Sequence, residues 1–167
     1  IIIDGGNSNY KLTRERFSEA KIRNIHFVDC GTSGGIWGLK NGYCLTIGGE
    51  KNIYEKLRPI FNSLTPKNSN GNLYVGKSGS GHYVKMIHNG IEYGMMQAIA
   101  EGIELLKTKS EYKLDISEIV DNWKEGSVIK SWLIDLISDE LDNDKNLDNF
   151  SSNVDDSGEG RWTIEES

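Results

Sequence analysis

The sequence of 167 residues contains only two cysteines, Cys30 and Cys44. They form no C-x-x-C pair, and no cluster of histidines lies near them in the sequence, so the pattern argues against a structural zinc site. We therefore expect no bound metal. Two buried, reduced thiols are the expectation for such a sequence and are typical of a protein in a reducing compartment, which favours a cytoplasmic location.

Long apolar runs and an excess of positive charge are also lacking. No stretch of about 18 apolar residues is present, and the first residues, IIIDGGNSNY, do not form a signal-peptide pattern, so we expect no membrane partner. The formal net charge of −6 argues against a general nucleic-acid binder. A small anionic ligand held by a few local cations remains compatible with this charge.

The first part of the chain alternates between strand and helix patterns. Predicted strands cover residues 1–4, 21–30, 42–50 and 72–76, and predicted helices cover residues 9–20 and 51–64. This alternation predicts an α/β domain with a mostly parallel sheet over residues 1–77. Because the first strand, IIID, is continuously apolar, we expect it to be buried on both faces and to be preceded by further strands of a larger sheet.

After Gly76 the pattern becomes helical. Predicted helices cover residues 79–108, 115–124 and 127–141, and an irregular acidic loop covers residues 142–160. Thr163 stands three residues before Glu166, the spacing of a capping box, so a further helix is predicted to start within RWTIEES. We therefore expect an all-α domain that begins with residues 78–167 and continues beyond the sequence.

The segment GHYVKMIHNGIEYGMMQ places polar side chains where an amphipathic helix normally has its apolar stripe. At spacings of i, i+3, i+4, i+7 and i+8, one face carries Lys85, His88, Asn89, Glu92 and Tyr93. The adjoining face is apolar and carries Val84, Ile87, Ile91, Met95 and Ala98.

Two glycines on this predicted helix, Gly90 and Gly94, allow another backbone to approach closely. We therefore expect the helix to be buried nearly all round, with its polar face satisfied by partners or by a ligand. The alternative interpretation is an exposed polar face that is simply solvated.

Two glycine-rich turns, DGGNS and GTSGG, each follow a predicted strand. In an open parallel sheet, ligands bind outside the carboxyl ends of the strands, so we expect both turns on the ligand side. Asn7 and Ser33 would add side-chain hydrogen bonds there. Strand-ending glycines are also common for backbone reasons alone, and neither turn is a G-x-G-x-x-G or Walker A motif.

Taken in order, the segments IIIDGGNS, GTSGG, GSGHYVKMIHNGIEYGMMQ and GEGRWT resemble the decarboxylating 6-phosphogluconate dehydrogenases over essentially the whole chain. The wider 3-hydroxyacid dehydrogenase superfamily shares the SGG turn and the helix lysine, but usually has Asn-Asn in place of HN and lacks GIEY. Arginine in GEGRWT, where the longer enzymes have lysine, resembles the short form found in many bacteria and archaea.

The resemblance implies oxidative decarboxylation of 6-phosphogluconate to ribulose 5-phosphate and CO2. Lys85 would accept the proton of the 3-hydroxyl, and Glu92 would protonate C1 of the enediol. A lysine can act as a base near neutral pH only where burial or nearby cations lower its pKa. The resemblance implies that the carboxylate and hydroxyls are held by Asn7, Ser33, Gly34, Gly35, His88 and Asn89. It implies that the phosphate is held by Tyr93, Arg161 and Thr163.

For the cofactor, NAD or NADP, the resemblance places only Asn7 within these residues. The dinucleotide fingerprint and the C-terminal arginine and histidine that family members donate to a partner subunit are absent from the sequence. We therefore expect the chain as given to bind 6-phosphogluconate weakly at best and not to reduce NAD or NADP. The resemblance also implies a homodimer or higher homo-oligomer, and the short form favours NAD.

Two alternatives remain open at this point. The first is another 3-hydroxyacid dehydrogenase, acting on a substrate without phosphate, against which HNGIEY and Arg161 argue. The second is a non-catalytic sugar-phosphate-binding protein without a cofactor half. A G-x-G-x-x-G segment upstream of residue 1 would favour the enzyme over the second alternative.

Overall fold

A computed structural model describes residues 1–151 and 153–167. The described residues form two compact units. The first unit consists of Ile1–Gly90 together with Ser157–Ser167, and the second consists of Ile91–Asp156.

The first unit contains a sheet of four strands in the order β1-β2-β3-β4. The strands are β1 (Ile2–Asp4), β2 (Phe27–Ser33), β3 (Cys44–Gly48) and β4 (Asn72–Gly76). The pairs β1–β2 and β3–β4 are parallel, which confirms the predicted mostly parallel sheet.

The pair β2–β3 is antiparallel, which the sequence analysis did not predict. Its two strands are joined by residues 34–43, which contain a short 3-10 helix, Gly35–Trp37, and helix α2, Gly38–Asn41. A parallel crossover needs a dozen or more residues, so this connection is too short for one.

The core of the sheet is formed where helix α3 (Lys51–Leu64) packs against β2 and β3. Its apolar residues recur at helical spacing and meet apolar strand residues that alternate toward the same face. The buried cluster contains Val28, Cys30, Leu45, Ile47, Ile53, Tyr54, Leu57 and Phe61.

The other helix before β2 is α1, Tyr10–Ile22. Its N-cap is Asn9, whose side chain accepts from the backbone N–H of Lys11. In strand β1, Ile2 and Ile3 are 45% and 38% exposed, and among the described strands β1 pairs with β2 alone. The burial of β1 within a larger sheet stays a prediction.

The long helix α4, Ser80–Thr108, follows β4 and supplies residues to both units. In the second unit its later turns and two shorter helices, α5 (Ile116–Trp123) and α6 (Trp132–Asn143), surround one apolar cluster. The buried residues of this cluster are Ile103, Ile116, Val120, Ile134 and Leu141.

Two boundaries of the predicted helices were wrong. Helix α6 begins after Ser131, whose hydroxyl accepts from the N–H of Ile134, so it starts later than the predicted residue 127. Helix α7 spans Glu159–Glu166 and begins after Gly158, which has φ = 84°. Thr163 therefore lies inside this helix and does not cap it. Within the predicted acidic loop, Ser152 lies outside the described residues.

Candidate functional site

Helix α4 is held at its start by a buried carboxylate from the sheet. Asp29 in β2 is fully buried, and its two oxygens accept from the backbone N–H groups of Gly79 at 2.7 Å and His82 at 3.1 Å. The first N–H groups of a helix have no partner within the helix and carry partial positive charge, so the carboxylate satisfies and stabilises them. The orientation of α4 on the sheet is thereby set by one strand residue.

Glycines allow α4 to lie almost directly on the sheet. A Cβ atom added at Gly31 in β2 would come within 2.6 Å of the Lys85 Cβ, the Gly81 carbonyl oxygen and the Thr46 hydroxyl. A Cβ at Gly81 would lie 2.5 Å from the carbonyl oxygen of Thr46. Only hydrogen fits at both positions, and the close approach brings the backbone of α4 at Lys85 against β2.

The polar face of α4 meets the end of β2. The Lys85 Nζ lies 3.3 Å from the His88 Nδ1, and the His88 Nε2 lies 3.4 Å from the Ser33 Oγ. An amine that donates to Nδ1 leaves the imidazole proton on Nε2, from which it can be donated to Ser33. Both distances are long for hydrogen bonds.

The turn after Ser33 depends on glycine. Gly34 and Gly35 have φ values of 141° and 53°, which the backbone of residues other than glycine rarely adopts. Ser33 itself is the last residue of β2 and not part of the turn. The predicted GTSGG turn therefore begins at Gly34.

A second pair of side chains meets at the end of β1. The Asn89 Nδ2 of α4 donates to the Asn7 Oδ1 at 3.3 Å, and the Asn7 Nδ2 donates to the Glu159 Oε1 of α7 at 2.9 Å. Asn89 is only 3% exposed, so its polar side chain is buried with a partner as predicted. The ends of β1 and β2 thus face neighbouring residues of one helix.

Helix α7 carries the two predicted phosphate ligands of the first unit. The Thr163 hydroxyl donates to the carbonyl oxygen of Met86 at 2.7 Å, and the Arg161 Nε pairs with the Glu165 Oε1 at 3.4 Å. A Cβ at Gly90 would lie 2.5 Å from the Thr163 side chain, so this glycine allows α7 to approach α4 closely. The approaching group is a side chain and not, as the sequence had suggested, a backbone. The phosphate roles of both residues stay predictions.

The far end of α7 is fastened to α1. The Glu166 carboxylate accepts from the Tyr10 hydroxyl at 2.7 Å and pairs with the Lys11 Nζ at 2.9 Å. The hydrogen bond from Tyr10 lowers the pKa of Glu166 from its ordinary value of 4.5, and Lys11 acts in the same direction. Glu166 therefore binds as a carboxylate at neutral pH.

Glu92 and Tyr93 belong to the second unit, at its start within α4. Glu92 is half-buried and Tyr93 is exposed. The expectation that α4 is buried nearly all round was wrong for the described chain, because Ile91 and Met95 are 61% and 42% exposed. Each lies on the apolar face, where no described element of the second unit covers it.

Three residues that position the site were not identified from the sequence. Asp29 could have been found as a lone carboxylate within an apolar strand, a placement that burial makes costly without donors. Glu159 stood within the quoted GEGRWT motif, but only its arginine and threonine were given roles. Gly31 stood within the predicted GTSGG turn, but it lies in β2, and its need for hydrogen comes from the approach of α4.

Other chemistries find less support. Cys30 is buried, and desolvation raises its pKa to about 11, so the thiol stays protonated at neutral pH. Within residues 1–151 and 153–167, no group of three His, Cys, Asp or Glu side chains is arranged to hold a metal ion. Among the described helices, none combines the length and apolar character needed to cross a bilayer.

Sequence comparison identifies the family. Residues 81–167 match the 6-phosphogluconate dehydrogenase C-terminal domain, and residues 1–76 match the NAD binding domain of 6-phosphogluconate dehydrogenase. The chain belongs to the 6-phosphogluconate dehydrogenase family.

Individual members of the 6-phosphogluconate dehydrogenase family agree with this assignment. The chain is 44% identical over 165 residues to the Bacillus subtilis protein YqeC, covering 99% of the chain and 54% of that protein. It is 38% identical over 167 residues to the NAD(+)-dependent decarboxylating 6-phosphogluconate dehydrogenase of Haloferax volcanii, with the same coverage of 99% and 54%. The chain therefore spans about half the length of these relatives.

A solved structure of the 6-phosphogluconate dehydrogenase family has the same fold. The Plasmodium falciparum enzyme, studied in apo form, with NADP+ and with 6-phosphogluconate, superposes with a TM-score of 0.84 at 33% identity. The match covers 99% of this chain and 37% of the Plasmodium chain.

Proposed function

We propose that the protein carrying this chain catalyses the oxidative decarboxylation of 6-phosphogluconate to ribulose 5-phosphate and CO2, with reduction of NAD or NADP. The observation that carries the proposal is the row of Ser33, His88 and Lys85 beside the Asn7–Asn89 pair. This row presents an amine, an imidazole, a hydroxyl and two amides along one helix face. Such a set suits a substrate with several hydroxyls and a carboxylate.

The carboxylate and hydroxyls are assigned to the residues that the strand ends and α4 bring together, namely Asn7, Ser33, Gly34, Gly35, His88 and Asn89. The positive φ values of Gly34 and Gly35 support this assignment, because backbone without side chains can approach an anionic group closely. The phosphate is assigned to Tyr93, Arg161 and Thr163. The planar guanidinium of Arg161 matches a phosphate with two parallel hydrogen bonds.

Lys85 is the proposed general base. Its amine takes the proton of the 3-hydroxyl while a hydride leaves C3. The bound nicotinamide supplies the acceptor for that hydride. The contact between the Lys85 Nζ and the His88 Nδ1 supports the role, because it holds the amine on the side of the helix that faces Ser33.

The resulting 3-keto acid loses CO2, and the electrons of the C1–C2 bond move toward the oxygen on C3. Lys85 is protonated at this stage and stabilises the negative charge that develops there. Glu92, seven residues further along α4, then gives a proton to the enediolate carbon that carried the carboxylate. This carbon becomes C1 of ribulose 5-phosphate, and the oxygen that carried the negative charge becomes the C2 carbonyl.

The residues present fit a nicotinamide cofactor at one place. At the end of β1, Gly5 has no atom within 4 Å of the point where a side chain would begin, so the turn is open on that side. Asn7 follows this turn and is the proposed cofactor-binding residue. NAD is favoured over NADP by the 38% identity to the NAD(+)-dependent Haloferax enzyme.

Residues 1–77 are proposed to belong to the coenzyme domain and residues 78–167 to begin the helical domain. The family matches over residues 1–76 and 81–167 support this division. A homodimer or higher homo-oligomer is proposed from the exposed apolar side chains of the second unit, among them Met96. A cytoplasmic location is supported by the two free thiols, of which Cys44 is exposed.

The test of this function uses Lys85→Met and Glu92→Gln in the active protein. Because Lys85→Met removes the general base, we expect a loss of about 10² to 10⁴-fold in kcat, with 6-phosphogluconate still bound. Glu92→Gln should also lower turnover but retain part of hydride transfer, since its role follows decarboxylation. Single-turnover formation of reduced cofactor and release of CO2 distinguish the two steps.

Wild-type turnover in either variant would contradict the assigned role. A panel that includes 3-hydroxy acids without a phosphate provides the control for substrate class. Equal activity on 6-phosphogluconate and on its dephosphorylated analogue would favour another 3-hydroxyacid dehydrogenase.

A further inference from the structure

Asn7 is placed between two groups of different hydrogen-bonding character. On one side the Asn89 Nδ2 donates to its oxygen at 3.3 Å, and on the other side its Nδ2 donates to the Glu159 Oε1 at 2.9 Å. The Glu159 contact is the shorter and involves an ionisable group, which makes it the stronger of the two.

We infer that Glu159 is a positioning residue that selects the orientation of the Asn7 amide for substrate binding. A carboxylate only accepts hydrogen bonds, so an Asn7 amide rotated by 180° would place its oxygen against the Glu159 oxygen. The Asn7 oxygen must therefore face Asn89. The inference rests on the proposed function, in which Asn7 binds the substrate.

The selected orientation determines what Asn7 offers to a ligand. An asparagine side chain has two N–H donors and two acceptor lone pairs. Glu159 uses one donor and Asn89 uses one lone pair, which leaves one of each. A hydroxyl group both donates and accepts, so it can use the free N–H and the free lone pair of Asn7 together. A carboxylate or phosphate could use the N–H alone.

Several features of α7 hold Glu159 in place. It lies in the first turn of α7, where a negative charge is favourable, and it is half-buried. The preceding Gly158 adopts φ = 84°, and a Cβ there would lie 2.9 Å from the Trp162 ring. Thr163 fastens the same helix to α4 through Met86.

The experiment compares Glu159→Ala, Glu159→Gln and the matched control Glu166→Ala in the active protein. Glu166 is also an acidic residue of α7 that fastens this helix to α1, but its partners are Tyr10 and Lys11 and not Asn7. We expect Glu159→Ala to raise the KM for 6-phosphogluconate by about tenfold, the equivalent of one lost hydrogen bond, with kcat changed less. Glu159→Gln keeps an acceptor and should restore most of the affinity, and Glu166→Ala should leave KM unchanged.

A double-mutant cycle with Asn7→Ala tests whether Glu159 acts through Asn7. In the Asn7→Ala background, Glu159→Ala should have no further effect on KM. An equal rise of KM in Glu166→Ala, or a full effect of Glu159→Ala without Asn7, would overturn the inference, since either result would indicate only a role in docking α7.

A readout that does not depend on activity is the side-chain amide signal of Asn7 in ¹⁵N–¹H NMR spectra, identified by its loss in Asn7→Ala. It should shift in Glu159→Ala and keep its position in Glu166→Ala. An unchanged signal in Glu159→Ala overturns the inference. Absence of 6-phosphogluconate turnover in the wild-type protein would reject the proposed function, and the amide signal would then decide whether Glu159 orients Asn7.

Discussion

The two parts of helix α4 differ in how their positions are determined. From Ser80 to Gly90 the helix is held by the Asp29 carboxylate and lies against backbone at Gly81 and against Thr163 at Gly90. From Ile91 to Thr108, Gly94 and Gly102 have no atom outside the helix backbone within 4 Å of an added Cβ. Here the helix contributes Ile103 to an apolar cluster.

The difference shows two ways of building with one helix. Apolar packing tolerates small shifts, because side chains of similar volume can be exchanged at modest cost. Backbone contact through glycine does not, because any added atom displaces the whole helix. The candidate residues Lys85, His88 and Asn89 all lie in the part that is held by backbone contact.

The largest effect is expected from Gly31→Ala. Its Cβ would lie 2.6 Å from the Lys85 Cβ and the Gly81 carbonyl oxygen, so α4 must move away from β2. We expect a loss of about 3 kcal/mol in the free energy of unfolding and, because Lys85 moves, a fall in kcat of about 10²-fold. Urea denaturation and steady-state kinetics measure the two. Unchanged stability would show that α4 is not fixed by this contact.

A smaller loss is expected from Asp29→Asn. An amide offers one acceptor oxygen and turns a donor toward the second helix N–H group, so we expect a loss of about 2 kcal/mol in the free energy of unfolding. The matched control is Asp115→Asn in the second unit, where one exposed carboxylate oxygen caps α5 by accepting from Glu118. Asparagine caps a helix as well as aspartate does, so the control should unfold at nearly the wild-type temperature.

If both asparagine variants unfold at the same temperature, the Asp29 carboxylate has no special role in holding α4. Calorimetry of the two variants and of the wild-type protein provides this comparison directly.

The smallest effect, of opposite sign, is expected from Gly94→Ala. The side chain meets no atom within 4 Å, and alanine restricts the unfolded chain more than glycine does. We expect a gain of about 0.5 to 1 kcal/mol in the free energy of unfolding. A loss measured by urea denaturation would reveal a neighbour at Gly94 that the described chain does not contain.

The sequence predicted those features that depend on local patterns. Helix α3 and strand β4 were predicted within their observed limits because each is bounded by clear turn residues. The polar face of α4 followed from helical spacing alone. The antiparallel β2–β3 pair, the Asp29 contact and the fit at Gly31 depend on which elements become neighbours, and no local pattern contains that information.

The N-terminal boundary of α7 illustrates the same limit. Thr163 and Glu166 have capping-box spacing, but the helix begins at Glu159, four residues before Thr163. The Thr163 hydroxyl instead donates to the backbone carbonyl of Met86. A motif of two residues could not outweigh the tertiary contact.

The contacts between α4 and β2 also fix the register of the helix along the strand. At one end the His82 N–H donates to the Asp29 carboxylate, and at the other end Ser33, the last residue of β2, contacts His88. Helix and strand advance by about 1.5 Å and 3.3 Å per residue, so the two contacts lie about 9 Å apart along the helix and about 13 Å apart along the strand. An inserted residue in β2 would also turn Ser33 to the opposite face of the sheet. An insertion between these contacts would therefore separate Ser33 from His88, while the surface loop at residues 67–71 tolerates changes in length.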